Sequence, residues 1–89
     1  MVNVNLNRLK VEQWINILEA IENTGSMNKA CETLQITYRT ILKRLRKLAD
    51  NYPEKIIESF HGGHTRGGTE LTLFGQSLLS QLKDCISVF

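Results

Sequence analysis

The chain has 89 residues, 42% of them apolar and 22% charged, with a formal net charge of +2. A chain this short buries only about 60–65% of its unfolded surface, enough for one core and not for two. No apolar run approaches the roughly 18 residues of a bilayer crossing, and the first ten residues alternate Asn with Val and Leu where a signal peptide needs an unbroken apolar stretch. One cytoplasmic domain over 1–89, with no membrane attachment, is the expectation.

Cysteine usage agrees with that compartment. Cys31 and Cys85 are too few and too far apart for a disulfide framework, and both fall within helical patterns, so they read as reduced, buried residues. His61 and His64 give an H-x-x-H spacing. There is no C-x-x-C pair beside them, and the candidate ligands are scattered over three elements, so no metal and no other cofactor is expected.

In chain order, Asn3–Leu6 fits a short strand or a frayed end equally. From about Leu9 to Asn23, Val11, Trp14, Ile15, Leu18 and Ile21 recur at steps of three and four, the amphipathic helix period, with Glu12, Glu19 and Glu22 off the stripe. Thr24-Gly25-Ser26 ends this helix, Gly25 suiting a left-handed position and Ser26 an N-cap. A second helix over Met27–Leu34 turns Met27, Ala30, Cys31 and Leu34 inward. Small Ala30 at its middle allows the close crossing that a helix-turn-helix requires. Thr37 caps a third helix that continues to about Asp50, ahead of Pro53, which disfavours helical geometry in Tyr52.

The third helix has two chemically opposite faces. Ile41, Leu45 and Leu48 form an apolar stripe, and Arg39, Lys43 and Arg46 form a second stripe two residues out of phase, about 200° around at roughly 100° per residue. Thr40, Arg44 and Lys47 widen the polar side. No acidic residue lies between Arg39 and Lys47, whereas ordinary solvated faces mix signs, so this face suits an anionic partner.

Lys55–Phe60 and Thr69–Thr72 are β-branched and aromatic runs on either side of a glycine-rich connection, and they read as a hairpin. Thr72 caps a last helix through Phe89, with Phe74, Leu78, Leu82, Ile86 and Phe89 in steps of four, four, four and three, and Leu79 and Cys85 beside them. That helix suits core packing or pairing with its twin in a dimer. The glycines do not make a nucleotide loop: Gly68 is followed by Thr69-Glu70, with no lysine and with a carboxylate where phosphate should sit, and the dinucleotide-binding pattern is missing. They fit instead a wing, a hairpin tip carrying His64, Thr65 and Arg66 close to a surface, with Arg66 placed for phosphate or a minor groove. The fold class is therefore mainly α with a small β-hairpin: a winged helix-turn-helix (helix-turn-helix about 26–50, wing about 55–71) with a long C-terminal helix at about 72–89.

Ala30 through Tyr38, ACETLQITY, resembles the helix-turn-helix of LysR-type regulators, and more closely that of the molybdate-responsive ModE repressors. Glu19–Ser26 is similar to the end of their first helix, and the doubled glycines followed by Leu71-Thr72-Leu73-Phe74-Gly75 are similar to their wing and the start of their linker helix. The resemblance covers about Ile15 to Leu82. It implies a DNA-binding domain dimerising through its first and last helices, with Thr37, Tyr38, Arg39 and Lys43 on duplex DNA and the wing on the backbone. Cys31 departs from a usual Ala, and Arg44 and Lys47 from smaller or acidic residues, which suggests more backbone contact. Both families carry a sensor domain after the linker helix, so their ligand control is not implied for a chain ending at Phe89.

Together these readings predict a transcriptional regulator that binds double-stranded DNA sequence-specifically as a homodimer. Arg39 and Lys43 are placed for guanine N7 and O6, Thr37 and Tyr38 for phosphate or a thymine methyl, and Arg46, Lys47 and Arg66 for backbone or minor groove, with Thr40 also counted among the DNA-binding residues. A sequence-neutral architectural protein, or a protein-interaction module with a regulatory partner, remains open on the same scaffold. Catalysis is not expected, because the histidines lie on a glycine-rich tip where nothing positions them as acid or base.

Overall fold

The computed structural model describes residues 4–60 and 68–87, with side chains over 9–59 and 68–86. Its elements run α1 (Val4–Thr24), α2 (Met27–Leu34), α3 (Tyr38–Ala49), β1 (Ile57–Phe60), β2 (Gly68–Leu71) and α4 (Leu73–Ser87). The expected order of three helices, two strands and a helix is therefore the observed one. α1 departs most in extent: it takes in Val4–Leu6, where strand or fraying had been left open, while β1 is shorter than the expected Lys55–Phe60 run and β2 is Gly68–Leu71, one residue earlier than expected.

Each corner has a local cause. Gly25, at φ 68°, turns the chain out of α1 and donates its N–H to the Ile21 carbonyl at 2.8 Å. Thr24 Oγ1 folds back on the Ala20 carbonyl at 2.6 Å, and Ser26 caps α2 by accepting the Lys29 N–H at 3.2 Å. α2 ends at Gln35, which stands in the left-handed region at φ 57°, ψ 43°, while the Ile36 N–H closes on the Cys31 carbonyl at 3.1 Å. α3 stops where Asn51 Nδ2 donates to the Lys47 and Leu48 carbonyls at 3.1 and 3.3 Å, satisfying acceptors that the helix itself leaves open.

The core is one cluster. Ile17, Leu18 and Ile21 of α1, Ala30 of α2, and Ile41 and Leu48 of α3 are the most deeply enclosed, joined by Met27, Cys31, Leu45, Ile56, Leu71, Leu78, Leu79 and Leu82. Ile17 and Ala20 are buried beside the expected stripe of α1 because that helix packs on α2, α4 and β2 at once, and a helix enclosed on several sides needs more than one stripe. Val11, Trp14, Ile15 and Leu34, expected inside, lie half-buried at the margin. One expectation fails: Cys31 is buried, but Cys85 is exposed on α4. Both cysteines are free.

The hairpin is anchored at its base. β1 and β2 pair antiparallel with Ile57 opposite Leu71 and Phe60 opposite Gly68. The Thr69 N–H reaches the Gly25 carbonyl at 3.0 Å, and a Cβ on Gly68 would stand 2.9 Å from the same oxygen. This glycine thus serves a close internal approach, at the root of the wing and not at its tip. Thr72 then joins wing to helix: its N–H donates to the Ile56 carbonyl at 2.9 Å, its hydroxyl to the Lys55 carbonyl at 2.6 Å, and the same Oγ1 accepts the Gly75 N–H at 2.9 Å. Tyr52 and Phe74 meet edge to face beside this junction, with centroids 5.4 Å apart. Across the domain, Lys83 of α4 pairs with Glu19 of α1 at 2.5 Å.

Candidate nucleic-acid interface

The helix that carries the basic residues is held rigidly at both ends. Thr37 Oγ1 accepts the Thr40 N–H at 3.1 Å and donates to Thr40 Oγ1 at 2.9 Å, so the Thr37 hydroxyl is committed to the cap while Thr40 keeps its own proton free. Ile41, Leu45 and Leu48 fix the inward face. Arg39, Lys43, Arg46 and Lys47 are exposed on the other side, as their spacing predicts, and Tyr38 is exposed at the start of the helix. Arg46 and Lys47 also occupy the last turn, where cations offset the helix dipole by about 0.3–1 kcal/mol each. Part of their presence is therefore structural.

Arg44 and Thr40 are half-buried, for they face a groove of about 570 Å³ between α1 and α3. Lys10, Gln13 and Trp14 of α1 form its other wall, with Lys43 and Lys47 on its rim and Asp50 and Asn51 at its end. Lys10 is a groove residue that the sequence did not single out. It lies outside the basic run and joins it only through the packing of α1 on α3.

The opposite flank of α3 is different in kind. There Leu42, Leu45, Arg46 and Ala49 face Lys55–Ser59 across a second groove, and Leu42 is 39% exposed. Leu42 was also missed, because it lies between the apolar stripe and the cations and belongs to neither. The outward surface of α3 thus grades from an apolar edge beside the hairpin, through Arg39, Lys43 and Arg46, to a cationic groove beside α1.

His64, Thr65 and Arg66, the expected wing-tip contacts, lie outside the described residues. So do His61 and the connection as a whole. Among the described residues no three of His, Cys, Asp and Glu gather in a metal-binding arrangement, and no helix is long and apolar enough to cross a membrane.

This geometry has counterparts. In the crystal structure of CbnR, a LysR family transcriptional regulator, the matching region superimposes with a TM-score of 0.67 at 20% identity, over 91% of this chain and 25% of that one. The molybdenum transport protein ModE of Azotobacter vinelandii is 30% identical over 69 residues, which are 78% of this chain and 26% of that protein. The chain is a winged helix-turn-helix domain resembling those of ModE and LysR-type regulators. The transcriptional regulator ModE of Haemophilus influenzae is 31% identical over 72 residues, 81% of this chain and 28% of that protein. The chain spans about a quarter of the length of these relatives. No protein-family profile matches it.

Within this fold α2 and α3 are the helix-turn-helix, β1 and β2 the wing, and α4 the helix that follows it. Gln35 occupies the sharp turn between α2 and α3, and Ala30 is wholly enclosed where those helices cross.

Proposed function

We propose that the chain is a single domain that binds double-stranded DNA sequence-specifically in a transcriptional regulator of the cytoplasm, and that it is not an enzyme. The observation that carries this reading is the outward face of α3, where Arg39, Lys43, Arg46 and Lys47 are exposed with no acid among them on a helix capped at both ends. A helix about 10–12 Å across fills a major groove about 12 Å wide. Placed there, Arg39 and Lys43 donate to guanine N7 and O6, Tyr38 and the Thr40 hydroxyl reach phosphate or a thymine methyl, and Arg46 and Lys47 neutralise phosphate. Thr37 acts through the cap, holding Thr40 and the first turn in register. The wing tip, with His64, Thr65 and Arg66, follows the backbone or minor groove beside the same site.

The relation to ModE and to a LysR family regulator supports this assignment, one ModE relative being named a transcriptional regulator. It also supports a homodimer through α1 and α4, whose half-sites would be one helical turn or a multiple apart. Whether activity is coupled to a further domain or a regulatory partner is a separate question from how α3 reads DNA.

The test is selection of bound duplexes from a random pool of about 30 bp at low and near-physiological salt. A two-fold symmetric motif that persists at the higher salt is expected, and Arg39→Ala should change the preference at one position by about 1–3 kcal/mol. Binding without any motif, fading with a log–log salt slope of about −4 to −5, would replace this reading with a sequence-neutral architectural one. Absence of binding at both salts would refute it outright.

A further inference from the structure

Four large apolar side chains are conspicuously exposed among the described residues: Leu9, Tyr38, Leu42 and Leu73. Two of them, Tyr38 at 48% and Leu42 at 39% exposure, stand one turn apart on α3. Residues four apart are neighbours on a helix surface, so the two form a short apolar ridge. At about 100° per residue, Leu42 lies about 40° around the helix from Tyr38, and Arg46 about 40° further on, with Arg39 and Lys43 beyond. The ridge therefore borders the cationic stripe and does not sit behind it. On its other side the ridge adjoins the buried stripe of Ile41, Leu45 and Leu48, Leu45 being about 60° around the helix from Leu42, so both side chains stand exposed at the border between core and cations.

We infer that Leu42, together with Tyr38, reads thymine in the major groove by packing on its 5-methyl group, on the hairpin side of the guanine contacts. The inference rests on the proposed insertion of α3 and deepens it by naming what part of the site's sequence the apolar ridge selects. The chemistry is specific. Of the four bases only thymine presents an apolar group in the major groove, and apolar side chains are the ones that match it. A cationic face lacking such a ridge would discriminate chiefly through guanine. Arg39 and Lys43 alongside Leu42 and Tyr38 instead favour a half-site in which guanine and thymine are read at neighbouring steps. Leu42 has no polar atom with which to contact phosphate, so a backbone role does not account for its place on this face.

The test uses the 89-residue chain and two random duplex pools, one synthesised with thymine and one with uracil, which lacks only the methyl group. The expected result is a motif whose guanine positions survive in both pools and whose strongest thymine positions lose their preference in the uracil pool. On the selected site, replacing one such thymine by uracil should weaken binding about 3–4-fold, the equivalent of about 0.8 kcal/mol for one buried carbon group. In Leu42→Ala the same replacement should cost clearly less, Tyr38 keeping a remnant of the contact, whereas Leu42→Met, which keeps an apolar contact, should retain the wild-type penalty. Identical motifs from both pools with the wild-type chain would overturn the inference and leave the proposed function standing. So would a uracil penalty that is equal in the wild type and Leu42→Ala. Failure to recover a motif from either pool would remove sequence-specific reading itself, and the inference with it. Because the decisive change is made in the DNA, the comparison of pools holds even if Leu42→Ala folds poorly.

Discussion

Gly75 sits in the first turn of α4, where alanine would ordinarily be the better residue by about 0.8–1 kcal/mol. Here the opposite is expected. A Cβ at Gly75 would run into the Ile56 carbonyl oxygen, and its next neighbours would be the Ile56 carbonyl carbon and Cγ2 at 3.1 and 3.3 Å. That carbonyl cannot simply retreat. It accepts the Thr72 N–H at 2.9 Å, and Ile56 itself is 4% exposed within the core. Overpacking of a tight site costs about 1–3 kcal/mol, and loosening one internal hydrogen bond about 0.5–1.5 kcal/mol. Setting these against the propensity gain leaves Gly75→Ala less stable by about 2 kcal/mol, a fall in Tm of about 8–16 °C for a domain this small. Thermal unfolding followed by circular dichroism reads this directly, with Ser80→Ala as the control. Ser80 is exposed on the same helix, and that substitution should gain about 0.5 kcal/mol. If Gly75→Ala were as stable as Ser80→Ala, the close approach of α4 to the wing base would not be a real constraint.

Gln35 holds a left-handed conformation that costs a residue with a side chain about 1–2 kcal/mol, so Gln35→Gly should raise stability by about 0.5–1 kcal/mol after the greater flexibility of the unfolded chain is counted; an unchanged Tm would show that the turn is not strained. The Lys83 ammonium is raised above its ordinary 10.5, chiefly by its hydrogen bond to Glu19; burial opposes this, and the charges of Glu19 and Glu22 add smaller raising effects. A raised folded-state value means that the pair stabilises below pH 10.5 and that its contribution is lost as pH climbs through the higher folded value. The stability difference between the wild type and Lys83→Met should therefore be flat near neutrality and shrink above pH 10.5, which urea titrations at several pH values would check. Lys10→Ala should weaken binding alike at every sequence and make the salt slope about 1 unit shallower, because Lys10 lines the cationic groove on the α1 side of α3, where a phosphate contact is expected; a change in the selected motif would contradict that role.

How much of this was legible beforehand depends on where the causes lie. The limits of α2 could be read to the residue because Ser26 and the turn after Leu34 are local signals, and Thr37 and Pro53 bracketed α3 for the same reason. The start of α1 could not, since Asn3–Leu6 alternates polar and apolar residues as a strand would and helix nucleation there depends on continuity with the stronger stripe that follows. Ile17 and Ala20 lay off that stripe, and only the tertiary packing of α1 against α2, α4 and β2 shows why they are buried. Cys85 was misplaced by the converse error: it stands one residue off the Leu78, Leu82, Ile86 stripe of α4, and a place beside a stripe does not by itself bury a side chain.

The site repeats the distinction at finer grain. Arg39, Lys43, Arg46 and Lys47 were legible because charge and phase lie on one helix, and two residues of rotation carry a cation from core to solvent. Lys10 and Leu42 were not, for different reasons. Lys10 enters through a groove between two helices, a relation that no one-dimensional pattern contains. Leu42 is visible in the sequence but has no assignment there, since a leucine at the border of two faces belongs inside unless the outer face needs an apolar group. Its exposure beside Tyr38 turns that ambiguity into a statement about recognition: a face built only to neutralise phosphate gains nothing from a leucine, whereas a face built to tell thymine from cytosine does.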